Sequence, residues 1–247
     1  MTSPPLAVTQ SDGTRKYVHP RTGEVAPSVT TILKILDKPA LQSWGARVAA
    51  DYAWDNREQL ALFPERDFKV AIKDAHKTEA DEAAGLGTLI HSLCEEQWDK
   101  EDPAEIPKQA DSFMKQFTLF RARFQPKLLL REATFWNSTA NYAGTADAVV
   151  MIGKECWLLD IKTGKGIYPE HGLQLAALGY SEFQIEPDGS QFEMPPITKY
   201  ALLHLRPRSY KLVEVMHPAK CFAAFLACRE LWQWQQYIAP EVLGAPL

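Results

Sequence analysis

Two apolar runs, Tyr142 to Ile152 and Glu155 to Thr163, are joined by only Gly153 and Lys154. A two-residue link that begins with glycine is the mark of a tight β-hairpin of the II′ kind, whose first loop residue needs positive φ. With Gly153 and Lys154 as the loop, Asp147 lies directly opposite Asp160 on a non-hydrogen-bonded rung. Cβ atoms of such a pair are about 4.5–5.5 Å apart. Like charges that face each other destabilise a sheet unless something positive lies between them. A divalent cation is the economical counter-charge, and Lys162, two residues beyond Asp160, adds an ammonium on the same face. Hard oxygen donors with one lysine suit Mg²⁺ or Mn²⁺ and a phosphate substrate. Such an ion activates a bound water and neutralises charge on phosphate oxygens, while a charged lysine holds the water or the transition state. The alternative is a surface carboxylate pair with a solvated lysine.

Around this hairpin the chain reads as helical first and mixed afterwards. Residues 1–26, rich in Pro, Ser, Thr and Gly, are expected to be a flexible segment. Ser28 and Thr30 then precede an apolar stretch in the manner of a helix N-terminus. Helical spacing runs from Leu41 to about Leu62, and again from Phe68 to Trp98 with a break expected at Gly85-Leu86-Gly87. A loop is expected from Asp102 to Pro107 and a helix from Gln109 to Phe124. A strand from Leu128 to Trp136 leads into the hairpin, followed by a helix from Pro169 to about Phe183. A second hairpin (Thr198 to Leu205, Tyr210 to Val215) and a closing helix from Pro218 to Tyr237 complete the pattern. The expected organisation is one domain over 27–247, mainly helical in 27–125, with sheet core and closing helix in 126–247.

The 247 residues, 46% hydrophobic and 23% charged, describe an ordinary folded chain and exclude wholesale disorder or collagen-like repeats. No run approaches the roughly 18 apolar residues of a membrane span, and the beginning has no apolar segment after a basic one, so the cytoplasm is the expected location. With 27 basic against 31 acidic residues, the net charge of −4 advertises no polyanion partner, and any nucleic-acid site must be locally basic. Cys94, Cys156, Cys221 and Cys228 show neither CxxC pairs nor Cys/His metal spacing, the pattern of free thiols.

Several further residues are candidates for the same chemistry. His91, four residues after Gly87 on a helix face, is either a metal ligand or a hydrogen-bonded core histidine. Gln174, on the helix after the hairpin, can hydrogen-bond a phosphate or the metal water, or be a half-exposed helix residue. Thr163 and Lys165 extend a positive, hydroxyl-lined surface. Ser28, Thr30 and Thr31 can contact phosphates, although simple capping explains them equally well. Glu132 either faces the site or is solvated. Trp44, Trp54, Trp136 and Tyr168 are candidates for stacking on unpaired bases, against core packing.

Taken in order, Gly87 with His91, Gly144-Thr145-Ala146-Asp147, Asp160-Ile161-Lys162-Thr163 and Gln174 resemble the PD-(D/E)XK nuclease superfamily. More narrowly they resemble its RecB-like exonuclease branch, which includes CRISPR-associated and phage nucleases. Pro27 to Leu33 is similar to a segment of the mitochondrial genome maintenance exonuclease group, and the resemblance covers roughly residues 27 to 205. It implies an α/β, restriction-endonuclease-like αβββαβ core, with a mixed central sheet flanked by helices and a helical N-terminal part. It also implies metal-dependent cleavage of DNA. His91, Asp147, Asp160 and the Ile161 carbonyl would be the Mg²⁺ or Mn²⁺ ligands, Lys162 the catalytic lysine and Gln174 an accessory residue. Many RecB-like relatives hold an iron–sulfur cluster on one cysteine before the core and three after it. Here no cysteine precedes Cys94 and only Cys221 and Cys228 follow the core, so no cluster is expected. The Gln174-to-Tyr180 spacing is longer than the branch's usual Gln-to-Tyr spacing, which gives Tyr180 little weight. The resulting expectation is an exonuclease on single-stranded DNA or DNA ends, in replication, recombination or repair, of prokaryotic or phage origin. A helicase or recombinase partner suits that role. A structure-selective endonuclease and a catalytically idle nucleic-acid-binding module are the competing expectations.

Overall fold

The computed structural model describes residues 6–11, 13–98 and 105–244. The chain opens with three short strands, β1 (Ala7–Thr9), β2 (Arg15–Val18) and β3 (Val25–Pro27). Helix α1 (Val29–Ile32), a 3-10 turn (Leu33–Ile35), and helices α2 (Pro39–Asp55), α3 (Arg57–Leu60) and α4 (Glu65–Gln97) follow. After α5 (Lys108–Phe124) come β4 (Lys127–Asn137), β5 (Tyr142–Ile152), β6 (Glu155–Lys162) and α6 (Pro169–Gly179). The chain then forms β7 (Phe183–Ile185), β8 (Gln191–Glu193), β9 (Lys199–Arg206), β10 (Ser209–Glu214) and α7 (Pro218–Tyr237). Part of the loop expected from 102 to 107 lies outside the described residues.

The fold is α/β, with a mixed seven-stranded sheet in the order β10-β9-β6-β5-β4-β7-β8 and helices against it. From α5 onward the elements give the expected αβββαβ order. β6 and β9 pair in parallel, as a crossover through α6 requires, and every other neighbouring pair in this sheet is antiparallel. Leu175, Leu178 and Phe225 of α6 and α7 cluster with Leu158, Tyr200 and Leu202. Phe120 of α5 meets Tyr210 edge-on at 6.0 Å, and Tyr210 pairs with Leu205, one residue out of phase with Leu202. Alternation along the strands therefore puts α5 on the sheet face opposite α6 and α7.

The chain divides into two compact units, residues 37–89 and the remainder. The 37–89 unit is helical, with Trp44 edge-on to His76 at 6.5 Å. Residues 7–27, expected to be flexible, instead form the antiparallel sheet β1-β2-β3. Its anchor is Tyr17, which is fully buried with Ala26, Trp136, Ala143 and Ile185 and shares a 2.9 Å hydrogen bond with the Thr145 hydroxyl. Two other expectations shift. α4 passes unbroken through Gly85 and Gly87, each of which costs a helix only about 1 kcal/mol. The helix expected to reach Phe183 ends at Gly179, and Phe183 instead begins β7, paired with Trp136.

Replacing Tyr17 with alanine removes a buried aromatic anchor and should lower unfolding free energy by about 3–5 kcal/mol. Tyr17→Phe should lower it by about 1 kcal/mol, the scale of one hydrogen bond. Urea unfolding of both variants checks this; a near-neutral Tyr17→Ala would show that the N-terminal sheet is not part of the folded unit.

Candidate active site

The hairpin forms in the expected register, from Ile152 paired with Glu155 to Ala148 paired with Leu159. Gly153 has φ of 64°, while Lys154 stays on the negative side, as a II′ turn requires. Regular pairing stops one rung before the two acids. There the Ile161 N–H donates to Asp147 Oδ2 at 2.6 Å, so a carboxylate takes the ladder bond. Gly144, in the Gly-Thr-Ala-Asp run, sits so close to α6 that a Cβ would lie 2.6 Å from the Leu178 side chain. Any larger residue there would require the Leu178 side chain to shift.

Asp147, Asp160, Lys162, His91 and Gln174, drawn from β5, β6, α4 and α6, converge as a charged cluster. His91 Nδ1 is 3.5 Å from Asp147 Oδ2, and Lys162 Nζ is 2.7 Å from Asp160 Oδ2. Gln174 ties the second pair together, with Nε2 donating to Asp160 Oδ1 at 3.0 Å and Oε1 accepting from Lys162 Nζ at 3.2 Å. Asp160 is only 4% exposed, and its Oδ2 meets the Lys162 ammonium as an ion pair, with no hydrogen bond from any other group.

Burial acts first on each of these groups, and their mutual charges decide the outcome. Burial alone would raise Asp147, but His91, Lys162 and the Ile161 N–H bring it below the usual carboxylate range. Burial raises Asp160, and although Lys162 opposes this, the Asp147 charge adds to it and the carboxyl stays high. Burial would lower Lys162, yet Asp160 and Asp147 outweigh it and hold the ammonium charged. Burial would likewise lower His91, yet Asp147, by charge and hydrogen bond, pushes the imidazole up to about 9. The arrangement therefore sets two acids against two bases, with neighbouring carboxylates that cannot both ionise cheaply without them.

Glu132, which sequence pattern left open between the site and solvent, belongs to this electrostatic neighbourhood. Burial raises its pKa to about 7, helped by the charges of Asp147 and Glu95. Its φ of 45° is left-handed inside β4, a sparsely populated conformation for a residue with a Cβ. Only the irregular geometry of β4 reveals this.

Four residues were expected to contact substrate phosphate. Ser28 is buried and spent on capping: its Oγ accepts from the Thr31 N–H at 3.0 Å and contacts Thr31 Oγ1 at 2.9 Å, leaving no surface for a phosphate. Thr30 is exposed beside it, and Thr163 and Lys165 lie half-buried and exposed in the loop after β6. Of the stacking candidates, Trp136 is fully buried in the core and is not one. Trp44 is half-buried, whereas Trp54, beneath the Arg57 guanidinium at 4.9 Å, and Tyr168 are exposed. The four cysteines are free.

The donor chemistry suits a hard cation, since two carboxylates on neighbouring strands are brought together and the only group facing the buried Asp160 Oδ2 is the Lys162 ammonium. Among the described residues, no three His, Cys, Asp or Glu side chains form a ready-made cation cage. His91 and Lys162 supply the positive charge in this arrangement.

No protein-family model matches the chain, and no curated protein matches it. Among solved structures, one described as the crystal structure of SSO0001 is similar over 77% of this chain and 71% of that chain. Its identity is 17% and its TM-score 0.34, a likeness that carries no argument. Among the described residues no helix is long and apolar enough to cross a membrane.

Because the folded-state pKa of His91 lies above its ordinary 6.5, its pairing with Asp147 stabilises fully below pH 6.5 and is lost as pH rises through about 9. NMR titration of the imidazole in EDTA should give a midpoint near 9. Asp147→Asn should drop that midpoint towards or below the ordinary value and remove the associated loss of melting temperature. A midpoint indifferent to Asp147→Asn would contradict the pairing.

Proposed function

We propose that the chain is a metal-dependent DNA exonuclease, hydrolysing phosphodiester bonds of single-stranded DNA or DNA ends in replication, recombination or repair. The observation that supports this most is the pairing of half-buried Asp147 with buried Asp160 on neighbouring strands, beside the charged Lys162. Asp147, Asp160, His91 and the Ile161 carbonyl would hold Mg²⁺ or Mn²⁺, which supplies an activated water and neutralises phosphate charge.

The remaining chemistry belongs to the side chains. Lys162, kept protonated by its acidic neighbours, is no base; it offers N–H donors and positive charge where the phosphate oxygens become most negative. Gln174 fixes Asp160 and Lys162 relative to one another, so the ammonium is oriented before substrate arrives. Thr163 and Lys165 continue from Lys162 into a loop suited to a phosphate backbone, and the exposed Tyr168 ring offers a stacking surface for an unpaired base. A second reading, a nucleic-acid-binding module without catalysis, draws on the pairing of His91 with Asp147 and Lys162 with Asp160, which balances the acids without a cation.

End-labelled linear single- and double-stranded oligonucleotides and a closed single-stranded circle separate these readings in Mg²⁺, Mn²⁺ or EDTA. Metal-dependent loss of linear strands with circles spared is expected, and Lys162→Ala and Asp160→Asn should each lose roughly 100-fold or more. Cut circles would make the protein an endonuclease. Binding without cutting would favour the binding module, and neither would overturn the reading.

A further inference from the structure

We propose that Arg206, at the end of β9, is a phosphate-binding residue that grips the nucleic-acid backbone next to the bond cleaved at Lys162; this rests on reading the site as one that acts on DNA. β6 and β9 run in parallel with Asp160 beside Leu202 and Lys162 beside His204. Register partners and alternate residues share a sheet face, so Lys162, His204 and Arg206 belong to one face, with Arg206 roughly 6.6 Å further along the strand than His204.

The Arg206 side chain is held in advance of any ligand. Its Nη1 donates to the Thr163 carbonyl at 2.7 Å and the Gly164 carbonyl at 2.9 Å. His204 Nε2 lies 2.8 Å from the same Gly164 carbonyl, an acceptor that requires the ring nitrogen to carry its proton. The loop leaving Lys162 is thus clipped to β9 by two side chains. A guanidinium has five N–H donors in a rigid fork, and these two bonds occupy only Nη1. Among the described residues no carboxylate pairs with Arg206, and no hydrogen bond is formed by its Nε or Nη2. A permanently charged, half-exposed fork, fixed by carbonyls and lacking a counter-ion, is built for a bidentate anion.

Its surroundings fit a polyanion better than a lone phosphate. Lys211, exposed on β10, pairs with His204 and so shares the face, and Arg208 is exposed in the β9–β10 turn. The nearest acid on β10 by sequence, Glu214, is engaged by Lys199 at 2.7 Å. A chain with net charge −4 therefore carries a locally cationic rim leading away from Lys162.

Fluorescence anisotropy of a labelled single-stranded oligonucleotide tests this, using the full chain with Lys162→Ala to prevent cutting, in EDTA across a salt series. Arg206→Gln keeps a donor for the Thr163 and Gly164 carbonyls but removes the charge. It should weaken binding roughly tenfold at low salt and reduce the slope of log affinity against log salt by about 0.7, the share of one phosphate on a single strand. Arg206→Lys should retain the slope. An unchanged slope in Arg206→Gln, or unfolding of both variants, would make Arg206 a loop clip only and overturn the proposal while leaving the nuclease reading intact. If the chain with Arg206 intact binds no oligonucleotide and the chain with Lys162 intact cuts none, the nuclease reading itself fails and takes this proposal with it.

Discussion

Asp147 and Asp160 are brought together by the register of one hairpin, Asp160 buried and Asp147 half-buried, which leaves charge compensation as the condition on everything around them. The cost of two buried like charges falls steeply when cations lie within a few ångströms. The surrounding elements meet this condition at identifiable points. The last turns of α4 deliver His91 to Asp147, the end of β6 returns Lys162 to Asp160, and α6 delivers Gln174 to both members of the second pair. Gly144 lies under the same helix, and a side chain there would require the Leu178 methyl to move.

The sheet order makes this cluster central rather than peripheral. β6 lies between β5, which holds the opposing acid, and β9, whose parallel register carries His204 and Arg206 past Lys162. The loop after β6 is consequently fastened on one side by β9 and on the other leads into α6.

The hairpin was legible from sequence because two local signals agree: a glycine-first link and apolar runs of matching length. β5 spans the expected Tyr142 to Ile152, and α7 spans the expected Pro218 to Tyr237, where proline opens the helix. The candidate residues that converge, His91, Asp147, Asp160, Lys162 and Gln174, were legible from spacing and resemblance together. What escaped depended on tertiary context. β1 to β3 are three or four residues each and gain their order from Tyr17 entering the main core, which no local pattern announces. Ser28 and Trp136 carry residue types that suit phosphate and base contacts, but both are buried. Glu132 and Arg206 acquire their significance from a left-handed backbone and a parallel register, neither of which can be read along the chain.

On the proposed nuclease reading, the acid pair is a cation site in which His91 and Lys162 supply the charge until the ion binds. Calorimetric titration of Mn²⁺ into the full chain near neutral pH, repeated in two buffers of different ionisation enthalpy, addresses it directly. With its pKa pushed up to about 9, His91 is protonated there and must give up that proton to become a ligand. Saturable binding with release of about one proton per ion, abolished by Asp160→Asn, is expected. No saturable binding, or binding that releases no proton, would contradict it.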